Sequence, residues 1–91
     1  MSIKVRIPTQ LRTLTGGSGE VSVEGTTVGE VLKALDAAHP GFADRLFDDA
    51  GGLRRFVNIF VADEDVRFLD GLATPVADGQ TLSIVPAVAG G

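Results

Sequence analysis

The sequence predicts an α+β fold, in which a mixed sheet of four or five strands carries one main helix across one face. Three observations lead there. Two-residue apolar alternation recurs at residues 3–7, 21–23 and 81–85, as half-buried strands require. One longer stretch, behind Thr27, has the three-and-four apolar spacing of an amphipathic helix. The chain has 91 residues, enough for a single modest core between two layers.

Each element has its own local reason. Ile3, Val5 and Ile7 alternate with Lys4 and Arg6, the pattern of a half-buried strand that Pro8 ends. Thr15 to Gly19 is turn-forming by composition, and Val21 and Val23 against Ser22 and Glu24 complete a first hairpin. Thr27 and Glu30 fit a capping box, each side chain satisfying a free backbone N–H. Behind it Val28, Val31, Leu32 and Leu35 form the buried stripe, and Pro40-Gly41 stops the helix. Phe42, Leu46 and Phe47 form a short helical turn over one end of the core.

Phe56 to Val61 is apolar except for Asn58 and reads as a central strand. Asp63, Glu64 and Asp65 form the turn after it, and Val66 to Phe68 a short strand. Asp70-Gly71 and Asp78-Gly79 are turn signals. Thr81 to Val85 is the last strand, before Pro86. If the first and last strands are neighbours in mid-sheet, their pairing is parallel and the helix supplies the long crossover.

Composition removes several function classes. The net charge is −4, with no basic stripe of the kind that neutralises nucleic-acid phosphates. No apolar run approaches the roughly 20 residues of a membrane span, and no signal-peptide pattern opens the chain, so the expected location is cytoplasmic. Cysteine is absent, which excludes disulfides and thiolate metal sites. No metal site is expected.

Residues 1–86 are expected to form one domain and residues 87–91 a flexible tail. That tail, Ala87-Val88-Ala89-Gly90-Gly91, is the feature that carries chemistry. A domain ending in extended, nearly side-chain-free residues can hand its own carboxylate to another protein's active site. Glycine places no Cβ in an attacking group's path, and five extended residues span roughly 16–18 Å. From the residues alone, a frayed terminus is the competing reading.

Phe56 and Phe60 are candidates for a docking surface. With Val57, Ile59 and Val61 facing the helix, alternation sends Phe56, Asn58 and Phe60 to the other face. The alternative is that they cover a sheet edge or meet the Phe68 segment. His39, the sole histidine, is expected at the solvent-facing helix end rather than as a base, since no acid or nucleophile pairs with it in sequence. Asp63-Glu64-Asp65 lacks the spacing of a calcium loop. Gly16-Gly17-Ser18-Gly19 lacks the Lys-Ser/Thr ending of a phosphate loop. Arg54-Arg55 is a solvated pair or a docking charge.

Several motifs now converge. They are Phe56-Val57-Asn58-Ile59-Phe60-Val61, Asp63-Glu64-Asp65-Val66-Arg67-Phe68, Gly71-Leu72-Ala73-Thr74, Ala77-Asp78-Gly79 and Pro86-Ala87-Val88-Ala89-Gly90-Gly91. With the element order and the Gly-Gly end, the chain resembles the ThiS/MoaD-type sulfur carriers, a family of small ubiquitin-like β-grasp proteins, and these motifs look closest to the carrier of bacterial cysteine biosynthesis. Ile7-Pro8-Thr9, Leu11-Arg12 and Thr15-Gly16-Gly17 also resemble that subfamily.

The resemblance implies a protein cosubstrate rather than an enzyme. An E1-like enzyme would adenylate the Gly91 carboxylate with ATP, and a sulfur donor would convert the adenylate to a thiocarboxylate. The tail residues Ala87, Val88, Ala89 and Gly90 would lie in the partner's active site. In the cysteine branch the sulfur would attack an aminoacrylate on a pyridoxal-phosphate-dependent cysteine synthase, and a zinc metalloprotease would then release cysteine. ATP, pyridoxal phosphate and zinc would belong to those partners, with no cofactor bound here. The resemblance leaves other acceptors open, in molybdopterin, thiamine or thio-sugar synthesis, and also a ubiquitin-like modifier or adaptor.

Overall fold

The first and last strands do lie side by side at the middle of the sheet. In the computed structural model, which describes residues 2–54 and 57–86, β1 (Ser2–Arg6), β2 (Glu20–Glu24), β3 (Val57–Val61), β4 (Glu64–Asp65) and β5 (Thr81–Pro86) are ordered β2-β1-β5-β3-β4. The β1–β5 pair is parallel and aligns Lys4, Val5 and Arg6 with Thr81, Leu82 and Ser83. β3 flanks β5 on the other side, antiparallel, from Val57 opposite Pro86 to Val61 opposite Leu82. The expected four- to five-stranded sheet has five strands, and the fold is the ubiquitin-like β-grasp.

The helix α1 (Val28–Ala38) crosses the inner face because its stripe has nowhere else to go. Val28, Val31, Leu32 and Leu35 are fully buried, against Ile3, Val5, Ile59 and Leu82 from the sheet. Each such side chain contributes on the order of 1.5–3 kcal/mol when taken out of water. The helix α2 (Phe42–Leu46) closes one end with buried Phe42 and Leu46. Its first turn lacks a cap of its own. The Asp36 carboxylate supplies one, accepting from the Gly41 and Ala43 N–H groups at 3.2 and 2.9 Å.

The capping box at α1 forms with one change of partner. The Glu30 N–H donates to the Thr27 hydroxyl at 3.2 Å, as the spacing predicts. The returning Glu30 carboxylate accepts from the N–H and hydroxyl of Thr26 instead, at 2.9 and 2.7 Å. Those bonds favour the charged carboxylate and lower its pKa, the backbone bond foremost, with Lys33 adding a smaller pull.

Three local expectations are corrected. The link between β1 and β2 contains a 3-10 helix over Thr9–Thr15, closed by left-handed Gly16 and by the Thr15 hydroxyl, which donates to the Ser18 carbonyl at 2.7 Å. The turn after β3 is Ala62-Asp63, not Asp63 to Asp65, and both residues have positive φ, 52° and 69°. A two-residue hairpin whose strands keep their right-handed twist demands that geometry. Glu64 and Asp65 are therefore already β4. Finally, Val66–Phe68 is a 3-10 helix rather than a strand, because the Asp65 carboxylate accepts from the Arg67 N–H at 2.8 Å and turns the chain.

Two outcomes follow. Because Glu30 has a folded-state pKa below its unfolded value, its stabilisation is present above the usual glutamate range and disappears as pH falls through the lowered pKa. Acid titration of unfolding stability is thus expected to be steeper for the native chain than for Glu30→Gln, with the difference appearing from about one unit above the usual glutamate pKa of about 4.3 downward. Replacing Asp63, held at positive φ, by glycine is expected to raise stability by about 1 kcal/mol, read as a shift of the urea midpoint at unchanged slope.

Candidate functional site

Among the described residues, the face of the sheet opposite α1 carries no helix, and its side chains follow from register. Across all five strands one row reads Glu20, Arg6, Ser83, Phe60, Asp65. Val85 lies one alternation further along β5, opposite Asn58. Val57, Ile59 and Val61 are buried while Asn58 and Phe60 are half-buried, so alternation along β3 runs as the sequence predicts. Phe60 thus shares the open face with Val85, which is 42% exposed.

The end of this face is where β5 finishes at Pro86. A groove of about 280 Å³ lies there, walled by Arg6, Ile7, Pro8 and Arg12 on one side and by Ser83, Ile84 and Val85 on the other. The Arg12 side chain is fixed by its Nε, which donates to the Ile7 carbonyl at 3.1 Å. On the far side of β5 the Arg67 guanidinium lies over β3, donating to Asn58 Oδ1 and to the Arg54 carbonyl, both at 2.7 Å. Three arginines therefore surround the last residues of the central strand. A larger depression of about 470 Å³ lies on the helical side, between Lys33, Asp36, Phe47 and Leu72, away from this exit.

Among the other sequence candidates, Gly91, the tail Ala87, Val88, Ala89 and Gly90, and Phe56 lie outside the described residues. Arg54 is exposed and donates through Nε to the Asp44 carbonyl at 3.1 Å. His39 is half-buried at the end of α1, its N–H bonded to the Leu35 carbonyl at 2.8 Å. The residue that sequence reasoning missed is Phe68, 87% exposed beside Arg67. Assigning Val66–Phe68 to a strand hid it. The signal was Asp65 two residues ahead of Arg67, the spacing at which an Asp side chain caps a turn.

The chain resembles known proteins in both sequence and fold. The ThiS family model matches residues 5–91. The chain is 54% identical over 93 aligned residues, 100% of both chains, to sulfur carrier protein CysO of Mycobacterium tuberculosis. In the crystal structure of an Amycolatopsis orientalis BexX/CysO complex, one chain superposes with a TM-score of 0.92 at 49% identity, covering 98% of this chain and 99% of that one. The crystal structure of the archaeal SAMP1 of Haloferax volcanii gives 0.84 at 32% identity, with both chains covered completely.

Removing the Arg67 clamp tests how the exit is held. Asn58→Ala is expected to cost about 1 kcal/mol, the usual worth of one such bond. Amide exchange at Leu69 should quicken with it, measured by hydrogen–deuterium exchange in NMR.

Proposed function

The chain belongs to the ThiS family, and from that premise we propose that it carries sulfur as a thiocarboxylate on Gly91. Its full-length similarity to sulfur carrier protein CysO supports the carrier role. In the reading proposed here, the Gly91 carboxylate attacks ATP on an E1-like enzyme and pyrophosphate leaves. Sulfur from a donor then displaces AMP from the acyl adenylate. A carrier of this type acts as a cosubstrate, and the catalytic groups sit in its partners.

The acceptor most in keeping with the relatives is a pyridoxal-phosphate-dependent cysteine synthase. The thiocarboxylate sulfur adds to the acceptor carbon held there. A zinc metalloprotease of the partner set then hydrolyses the carrier–cysteine bond and regenerates the Gly91 carboxylate. ATP, pyridoxal phosphate and zinc all reside on partners. That the A. orientalis relative was crystallised in complex with BexX supports docking of such a carrier on a protein partner.

One observation carries the proposal. β5 is the middle strand, bonded on both sides, and it ends at Pro86 beside the arginine-bordered groove. A tail rooted in the centre of a sheet starts from a fixed point, so its reach into a channel is set by its length alone. Residues 1–86 would be the folded body and 87–91 the inserted segment. Phe60, on the same open face, would lie against the partner beside Phe56.

Incubation with ATP, sulfide and a purified E1-like enzyme is expected to raise the intact mass by the difference between sulfur and oxygen. The chain lacking Gly91 should show no gain. Gain in both, or in neither with the enzyme active on another carrier, would sink the proposal. The likeness to SAMP1 favours one further reading, a modifier joined to lysines. That reading predicts adducts on denaturing gels that survive thiols and hydroxylamine.

A further inference from the structure

Phe68 is the most exposed of the large apolar side chains described, and leaving it in water forgoes roughly 1.5–3 kcal/mol of burial. Its backbone is nevertheless tightly held. Val66 beside it is fully buried, the Asp65 carboxylate caps the Arg67 N–H at 2.8 Å, and the Leu69 N–H returns to the Val66 carbonyl at 3.0 Å. Arg67 is pinned to Asn58 and Arg54 as described. An aromatic ring held out on a rigid turn loses little freedom when a pocket takes it. Leu69 and Val85, each 42% exposed, are the other large apolar side chains left open among the described residues.

The charges nearby say what borders such a pocket. Although the chain carries −4 overall, Arg6 and Arg12 face the groove at the end of β5. Glu20 and Asp65 sit at the two edges of the sheet, and Asp65 is engaged as the cap of its own turn. Asp63, Glu64 and Asp78 lie toward the other end of the strands. The parallel register puts Ser2, whose N–H donates to Asp78 at 2.7 Å, at that end and Arg6 at the exit. A partner seated at the exit therefore meets guanidinium groups, and its complementary surface is acidic.

We propose that Phe68 is the anchor of a protein–protein docking site whose rim is Arg6 and Arg12. The occupant is a partner enzyme with an apolar pocket bordered by carboxylates, seated over the end of β5. That the partner also receives the tail rests on the carrier reading above; the anchor itself does not.

The test uses the full-length chain and BexX, the protein found in complex with the A. orientalis relative. Association and dissociation are followed by biolayer interferometry over a range of salt. The native chain is expected to bind, with association slowing as salt rises. Phe68→Ala should weaken binding about tenfold or more with its melting temperature kept, and Phe68→Leu should recover part of the loss. Arg6→Glu with Arg12→Glu should slow association and flatten its salt dependence.

Phe68→Ala binding within about twofold of native, the behaviour of an energetically neutral contact, would overturn the anchor. So would failure of the native chain to bind. Thiocarboxylate formation on Gly91, measured by mass, separates the two proposals. Phe68-dependent binding without it sustains the anchor and removes sulfur delivery. Thiocarboxylate formation with no effect of Phe68 removes the anchor and leaves delivery standing.

Discussion

The parallel pairing of β1 with β5 is the constraint on which the rest of the structure depends. A parallel pair cannot be closed by a tight turn, so everything between residues 6 and 81 must be routed around it. β2 takes one flank of β1, and β3 with β4 takes the other flank of β5. α1 passes over the inner face on the way. The register is held at its start by Lys4 N–H to the Gln80 carbonyl at 3.1 Å and by Gly79 N–H to the Ser2 carbonyl at 2.9 Å. One consequence is functional. The C-terminal strand is central rather than at an edge, and the chain leaves it from the best-supported position in the sheet.

That arrangement leaves two faces with different duties. The inner face is apolar, filled by the α1 stripe, and sets stability. The outer face is a mosaic of Arg6, Ser83, Phe60, Asn58 and Val85, with no second layer over it among the described residues. Phe60 is half-buried and Val85 partly exposed, so the face mixes apolar and polar area and leaves no broad apolar patch in water.

Much of this was legible in the sequence, and the failures have physical causes. Strand alternation, the helical stripe and the Thr27–Glu30 cap are periodic or short-range signals that local physics enforces, whereas the parallel central pair followed only once β1 and β5 were taken as neighbours. The 3-10 helix over Thr9–Thr15 and the turn of Val66–Phe68 were not legible. Both are shorter than the window over which a period can be read. A side chain creates the second turn: the Asp65 carboxylate, by taking the Arg67 N–H, converts an apolar triplet from strand to turn. The Ala62-Asp63 turn escaped for a related reason. Neither residue is the Asn or Gly that usually announces left-handed geometry, so tertiary pairing of β3 with β4 imposes it. Phe68 went unseen as a surface residue because its exposure follows from that one misread triplet. Register alone decides which side chains meet Arg6 across the sheet, and no local pattern encodes that.

Energetics decide how a carrier of this design would be told apart by its partners. Five residues follow Pro86, and fixing each backbone costs about 1–2 kcal/mol, so seating the tail costs roughly 5–10 kcal/mol. Each main-chain hydrogen bond in a channel returns only about 1 kcal/mol, and Ala87, Val88 and Ala89 bring little surface to bury. The tail therefore adds little net affinity, whatever channel it enters. It also has few side chains through which one partner could distinguish this chain from another ending in Gly-Gly. Affinity and discrimination must both come from the folded body, from groups already fixed before the encounter. Around the end of β5 those groups are the Arg12 side chain tied to Ile7, the Arg67 clamp over Asn58, and the turn that holds Phe68 in solvent. On the carrier reading, rigidity there is what would let so plain a tail suffice.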